Sequence, residues 1–596
     1  MIASMKAPVL SFAIILTLLF GALSGVYADS ATWSLNPISS DWTTAANWTP
    51  ATVPDGPDDV ATFSFSNQTS VSISGVEIEL SSLVFDSGAS AFTIAFTVNL
   101  PLTGLTFSGI GIVNNSDVLQ TFVCDLGTIT FIQNATAGEL ITYSNVYGID
   151  FQDNASAGNC TFTREGNLAG LINFYDNSTA DHGTFTNNPG YGSAVIFNGN
   201  STAGNATITN EGSDYYLYAG VTAFLDTSTA ADGLFIANGA LTNYYGYGLV
   251  RFWDSSKAGN GTVIANGGQV RDAAGGLIEL RDSSTAENGT FYANGTTVRG
   301  AFGGRVQFLA EAAANAAILI ATGAGRGQGE AGGIQFYDNS AGEQARVELY
   351  ENGFLDIRGH DTPGLTIGSL EGDGLVFLGG ANLSVGSNNL SSIFSGLIEE
   401  NSEGTTGALT KIGQGTLALS GPNTYTGGTT IEAGTLLVQT KNASATGTGP
   451  VQVNTGTLGG KGKMSGAVTI GSGTGTGAFL APGVNGAAGL MTQSSLTFNA
   501  DGIYSCEVDT SRAKADKIIV RAVTINTGAL FSFVALGNQT LAQGTVFTVI
   551  KNRSPNPITG TFSNMPDGST FTVGSNTFQA SYSGGDGNDL TLTVVP

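Results

Sequence analysis

Residues 250–286 read VRFWDSSKAGNGTVIANGGQVRDAAGGLIELRDSSTA, and the segment that opens this stretch, VRFWDSSKA, returns at its end as IELRDSSTA, 28 residues later. Within each copy the first and third residues are apolar (Val250 and Phe252, then Ile278 and Leu280) and the residues between them and just after are polar or large and amphipathic. Alternation with a period of two is the pattern of a strand with one buried face. The aspartate that follows is a turn residue, as are the glycines and asparagines further on.

The same segment recurs nine times along the chain. Taking the aspartate as marker, the copies fall at 133, 153, 176, 199, 226, 254, 282, 310 and 338, in steps of 20, 23, 23, 27, 28, 28, 28 and 28 residues. Two residues before each marker stand Phe131, Phe151, Phe174, Phe197, Phe224, Phe252, Leu280, Phe308 and Phe336, and a second strand opens about nine residues after it, at Phe162, Phe185, Ile208, Phe235, Val263 and Phe291. Twenty to 28 residues hold two or three short strands with their turns, which is one coil of a solenoid and too little for a propeller blade. The sequence therefore predicts an all-β, right-handed parallel β-helix with β-rich caps at both ends. The phenylalanines should form a ladder inside the bore, with neighbouring coils about 4.8 Å apart.

Composition agrees with that reading and excludes several functions. Eighty-five glycines, with Thr, Val, Ile and Phe in short runs, favour strands over helices. A net charge of -25 with only 21 Lys and Arg leaves no basic stripe for nucleic acid. Lys6, the apolar run 9–20 and the small residues ending at Ala28 read as a signal peptide, after whose removal no segment is apolar enough to span a membrane as a helix. Three cysteines, Cys124, Cys160 and Cys506, read as small buried apolar residues, although an oxidising compartment permits a bridge between the first two.

Residues 409–438, LTKIGQGTLALSGPNTYTGGTTIEAGTLLV, resemble the autotransporter-associated β-strand repeat, with Lys411, Gly413, Gly415, Thr416, Leu417, Ser420, Gly421, Asn423, Tyr425, Gly427, Gly428 and Thr429 at the motif positions. The resemblance implies a secreted or surface-exposed bacterial passenger-type β-helix and implies no reaction. Autotransporters end in a membrane barrel, whereas this chain reaches Val594, Val595 and Pro596 directly after a passenger-like ending. The expectation is a protein that does not export itself, and that is extracellular, at the cell surface or periplasmic. Its organisation is expected to be a signal peptide at 1–28, an N-terminal cap and first coils at 29–100, a main stack at 101–400, motif coils at 401–480 and a C-terminal β-rich cap at 481–596.

Candidate chemistry is sparse. The marker column (Asp153, Asp176, Asp226, Asp254, Asp282 and Asp338) reads mainly as side chains bonded to turn amides. Ca²⁺ is the one cofactor the sequence admits, at Asp254 and Asp282 or at Asp586 and Asp589 in the ending GGDGND. No residue is assigned a catalytic role: the two histidines, His182 and His360, lie in dissimilar settings, and Lys411 reads as a solvated lysine. Trp33, Trp42 and Trp48 read as a cover for the open end of the helix, with a sugar platform as the other reading, and Tyr175, Trp253, Tyr292 and Tyr337 form an outward aromatic strip. The functional expectation is a structural or adhesin-like envelope protein meeting extracellular glycan or cell-surface components. The alternative is a polysaccharide-binding or polysaccharide-degrading β-helix, and oligomeric state is left open.

Overall fold

The computed structural model describes residues 30–596 apart from 98–102, 126, 164–169, 190–192, 214–218, 244–245, 326–328, 441, 484–489 and 493. The signal-peptide reading of 1–28 lies outside the described residues. Almost every element is a strand, and the strands stack as a parallel β-solenoid of about 18 turns. Among the described residues no helix is long and apolar enough to cross a membrane.

Each coil of the main stack contributes one strand to a front sheet and one to a back sheet. Front strands such as Gly148–Phe151, Leu171–Phe174 and Leu249–Phe252 carry the first apolar pair of the repeat. Back strands such as Asn159–Thr163, Thr184–Asn187 and Thr262–Ala265 carry the second. Register is one to one: Phe151 pairs with Phe131 below and Phe174 above. The rings of Phe151 and Phe174 stack with centroids 4.7 Å apart and planes 4° from parallel, and the stack continues through Phe197, Phe224 and Phe252. Leu280 interrupts it, buried, and Phe308 resumes it with Phe336 at 4.5 Å. A second stack rises from the back sheet through Tyr143, Phe162 and Phe185, and meets the first edge to face at Phe151 and Phe174. Burying each ring contributes about 2–3 kcal/mol, and each ring pair about 1 kcal/mol more.

The corner between the two sheets explains the marker. All nine marker residues have φ between 53° and 63°, the left-handed region that Asp, Asn and Gly tolerate best. Five residues later a second left-handed column appears at Gly158, Asp181, Gly204, Ala231, Gly259, Glu287, Asn315 and Glu343, with φ between 47° and 62°. Between the two columns a single residue per coil pairs with its neighbours, from Thr136 through Thr202 to Ala341. The small residues flanking it, Ser178, Ser201, Ser228, Ser256 and Ser284 on one side and Ala180, Ala203, Ala230, Ala258 and Ala286 on the other, are fully buried. Larger side chains would not fit where the chain reverses twice within six residues.

Between residues 364 and 399 the cross-section changes. The one-residue corner widens into a side sheet that begins at Gly364–Ile367 and ends at Val523–Ile525. The front sheet stops at Leu397–Glu399. A mostly antiparallel sheet built on Val546–Asn552, Asn576–Gly584 and Asp589–Val595 closes the C-terminal end. At the other end Trp33, Trp42 and Trp48 are at most 2% exposed, pack around Phe63, and donate their indole N–H groups to the carbonyls of Gln68, Pro54 and Trp42. They cover the first coil with their rings turned inward, which removes the sugar-platform reading.

Candidate functional site

The motif coil sits where the front sheet ends. Ala408–Lys411 belongs to the side sheet with alternate residues inward, and this alternation turns Lys411 into the bore. Lys411 is 1% exposed, and its Nζ donates to the carbonyls of Ile412, Gly413 and Ala433. Lys411 is therefore not the solvated lysine expected from sequence. Among the described residues no carboxylate pairs with it, so burial alone lowers its pKa from 10.5 to about 8. Gly413 has a φ of 64°, and a methyl group there would overlap the Gly386 carbonyl of the preceding coil, which rules out any other residue.

Asn423 takes over where front-sheet pairing stops. Its Oδ1 accepts the Ile398 N–H at 2.8 Å and its Nδ2 donates to the Ala445 carbonyl at 2.6 Å, so a side-chain amide stands in for one rung of backbone. Tyr425 is fully buried, with its hydroxyl 2.7 Å from Thr429 Oγ1, which in turn bonds the Thr446 carbonyl. Burial raises the Tyr425 pKa, which keeps the phenol neutral. Thr416–Leu419 is a back strand with Leu417 inward, Ser420 bonds the Phe394 carbonyl through its N–H, and a methyl on Gly421 would overlap the Gly396 carbonyl. Gly415, Gly427 and Gly428 lie against neighbouring backbone in the same way. The side chains of Lys411, Asn423, Tyr425 and Thr429 are thus consumed in holding the coils together.

The marker column has a specific task. The N–H of each left-handed residue has no backbone acceptor, and the aspartate one coil later supplies one: Asp153 to Gln133, Asp176 to Asp153, Asp226 to Gly199, Asp254 to Asp226, Asp282 to Asp254 and Asp338 to Ala310, at 2.9–3.4 Å. The turn amide that each aspartate holds belongs to the neighbouring coil, because the left-handed marker points its N–H along the stack. Gly199 and Ala310 offer no acceptor, and the column lapses there.

The terminal pair is engaged with a lysine. Lys551 Nζ lies 2.8 Å from Asp586 Oδ1 and 3.0 Å from Asp589 Oδ2, while Asp589 Oδ1 accepts the Asn552 N–H. The ammonium occupies the place a cation would take between these carboxylates. Among the described residues no group of three or more His, Cys, Asp and Glu side chains is arranged to hold a metal.

The histidines do not assemble a nucleophile. His182 Nδ1 lies 2.7 Å from Asp181 Oδ1, but its Nε2 faces Asn205 at 3.5 Å, while the nearby Ser156 hydroxyl donates to the far oxygen of Asp181. Both nitrogens of His360 contact backbone carbonyls, of Asp361 and Ser340. Cys124, Cys160 and Cys506 are free and buried, and Cys160 donates to the carbonyls of Ala137 and Gly138.

The outward aromatic strip is partly covered. The Arg251 guanidinium lies over the Trp253 ring at 5.0 Å and pairs with Glu279, which also meets Arg281. Tyr337 lies against the backbone of Gly359, and Tyr175 and Tyr292 remain at the surface. The Lys411 burial, the Asn423 rung and the second left-handed column are the features sequence reading missed. Only the last had a signal, the recurrence of Gly, Asp, Asn or Glu five residues after the marker.

A family model, the passenger-associated transport repeat, matches residues 409–438. An extracellular serine protease of Serratia marcescens is 32% identical over 164 residues, which is 26% of this chain. The match spans 14% of that protein's length.

Proposed function

We propose that this autotransporter-passenger-type repeat protein is a non-catalytic, exported β-helix that works as an extended structural or adhesin-like element on or outside the cell. The observation that carries the reading is the use of the motif side chains: Lys411, Asn423, Tyr425 and Thr429 are spent on joining coils, in a chain whose histidines assemble no nucleophile among the described residues. A stack of coils in a strongly acidic chain is long and stiff and resists aggregation, which suits display rather than turnover.

Two measurements on one preparation test it. Antibody labelling of intact cells of the source organism should find the protein accessible from outside. The purified chain should leave peptide and polysaccharide substrates uncut, with or without a serine-protease inhibitor. Hydrolysis that disappears with the inhibitor, or with one paired carboxylate changed to its amide, would replace this reading with an enzymatic one, and a strictly periplasmic pool would exclude surface display.

A further inference from the structure

The outer face of the back sheet carries an array that the reading above does not use. Over six successive coils its two outward columns are Thr93 and Ala95, Thr121 and Val123, Thr142 and Ser144, Thr161 and Thr163, Thr184 and Thr186, and Thr207 and Thr209, paired one to one across the strands. The last three coils have threonine at both positions; the coil before them carries Thr142 and Ser144, the Ser144 hydroxyl donating to the Phe122 carbonyl at 3.4 Å. The next coil ends the array with Leu234 and Ile236.

Strand propensity alone accounts for threonine on a sheet. It does not account for three further facts. The twelve positions hold no charge, in a chain with 46 Asp and Glu residues. The hydroxyls of Thr161, Thr163, Thr184, Thr186, Thr207 and Thr209 have no partner within the protein among the described residues, and Thr161 and Thr184 are exposed. The corner threonines of the same coils behave differently: the hydroxyls of Thr136, Thr179, Thr202 and Thr229 each accept an N–H two residues ahead and so serve the turn. One set of threonines is built into the fold, and the other is left facing water in rank and file.

Rungs lie about 4.8 Å apart and the two columns about 6.7 Å apart. Such a rectangle of hydroxyls and methyls is close to the oxygen repeats on faces of hexagonal ice. The hydroxyls bind the first water layer, and the methyls confine water between the rungs. We propose that this face is an ice-binding surface, on which an uncharged threonine lattice orders water that then merges with an ice crystal. Neutrality fits this occupant, since ice carries no charge to be recognised and fixed ionic groups would disturb its lattice.

The test uses the full chain in slowly growing ice. It should be taken up several-fold more than an inert protein of equal size, and should slow recrystallisation of fine-grained ice. Thr184→Lys and Thr161→Lys, each at an exposed site and melting with the parent, should fall to the inert level. Thr290→Lys, in a coil whose second column is Tyr292, should keep the parent's uptake. Exclusion of the parent from ice, unchanged uptake by both array variants, or adsorption to crystalline cellulose or chitin in place of ice would each overturn the assignment.

Discussion

The phenylalanine coils from Gly127–Phe131 to Gly333–Asp338 and the motif coil at 409–438 reach the same cross-coil register by opposite means. In the first, apolar rings repeat and each coil contacts its neighbours through equivalent residues. In the second, the front sheet has ended, and single polar side chains, Lys411 and Asn423, hold carbonyls and amides that a strand would otherwise satisfy. Repetition makes the first region tolerant of whole-unit changes and intolerant of a charge in the stack. The second depends on individual residues, because no neighbouring coil duplicates their contacts.

The difference can be broken at its strongest point. Phe252→Asp places a carboxylate between Phe224 and Leu280 in a dry stack and should destabilise the chain by several kcal/mol, read as a large drop in the chemical-denaturation midpoint. An unchanged midpoint would mean that the ring is not inside the bore.

Next in size is the lysine. Lys411→Met removes the three donors and leaves carbonyls unpaired, for a loss of about 1–3 kcal/mol at neutral pH. The pH dependence sharpens the point. With its pKa lowered to about 8 in the fold and 10.5 as its ordinary value, Lys411 is charged in both states below pH 8, where the native state bears the full penalty of burying the ammonium. As pH rises above 8 the folded form releases its proton first, the unfolded chain binds more protons, and stability rises relative to the Met variant until about 10.5. Paired melts of the parent and Lys411→Met at pH 7, 8 and 9.5 should therefore diverge with pH, and parallel curves would place the ammonium in water.

The smallest effect is a gain. Ala310 sits at a φ of 55° and leaves the Asp282 N–H without the acceptor that other coils supply. Ala310→Asn should stabilise by about 0.5–1 kcal/mol, through easier left-handed geometry and one restored hydrogen bond. A loss of stability would show that the column is held by something other than that amide.

The period-two alternation at Phe252 and the constant 28-residue step were enough to read the solenoid and its inner ladder, because burial of one face leaves a direct mark on sequence. The marker aspartate was read as a turn residue bonded to an amide, but which coil owns that amide depends on a backbone angle that residue type suggests without fixing. Lys411 was misread for a plainer reason: a lysine's usual place is the surface, and only the three carbonyls brought together by its own coil and the next make a buried ammonium tolerable. Asn423 was equally hidden, since its partners, Ile398 and Ala445, lie more than twenty residues away on either side.

Each step between markers acts as one interchangeable coil. Deleting residues 227–254 removes one full step, and deleting 227–240 removes half of one. Circular-dichroism melts should show the full-step variant soluble, β-rich and cooperative close to the parent's melting temperature, and the half-step variant misfolded, because its strands would meet the wrong face of their neighbours. Equal damage from both deletions would contradict the stacked-coil account.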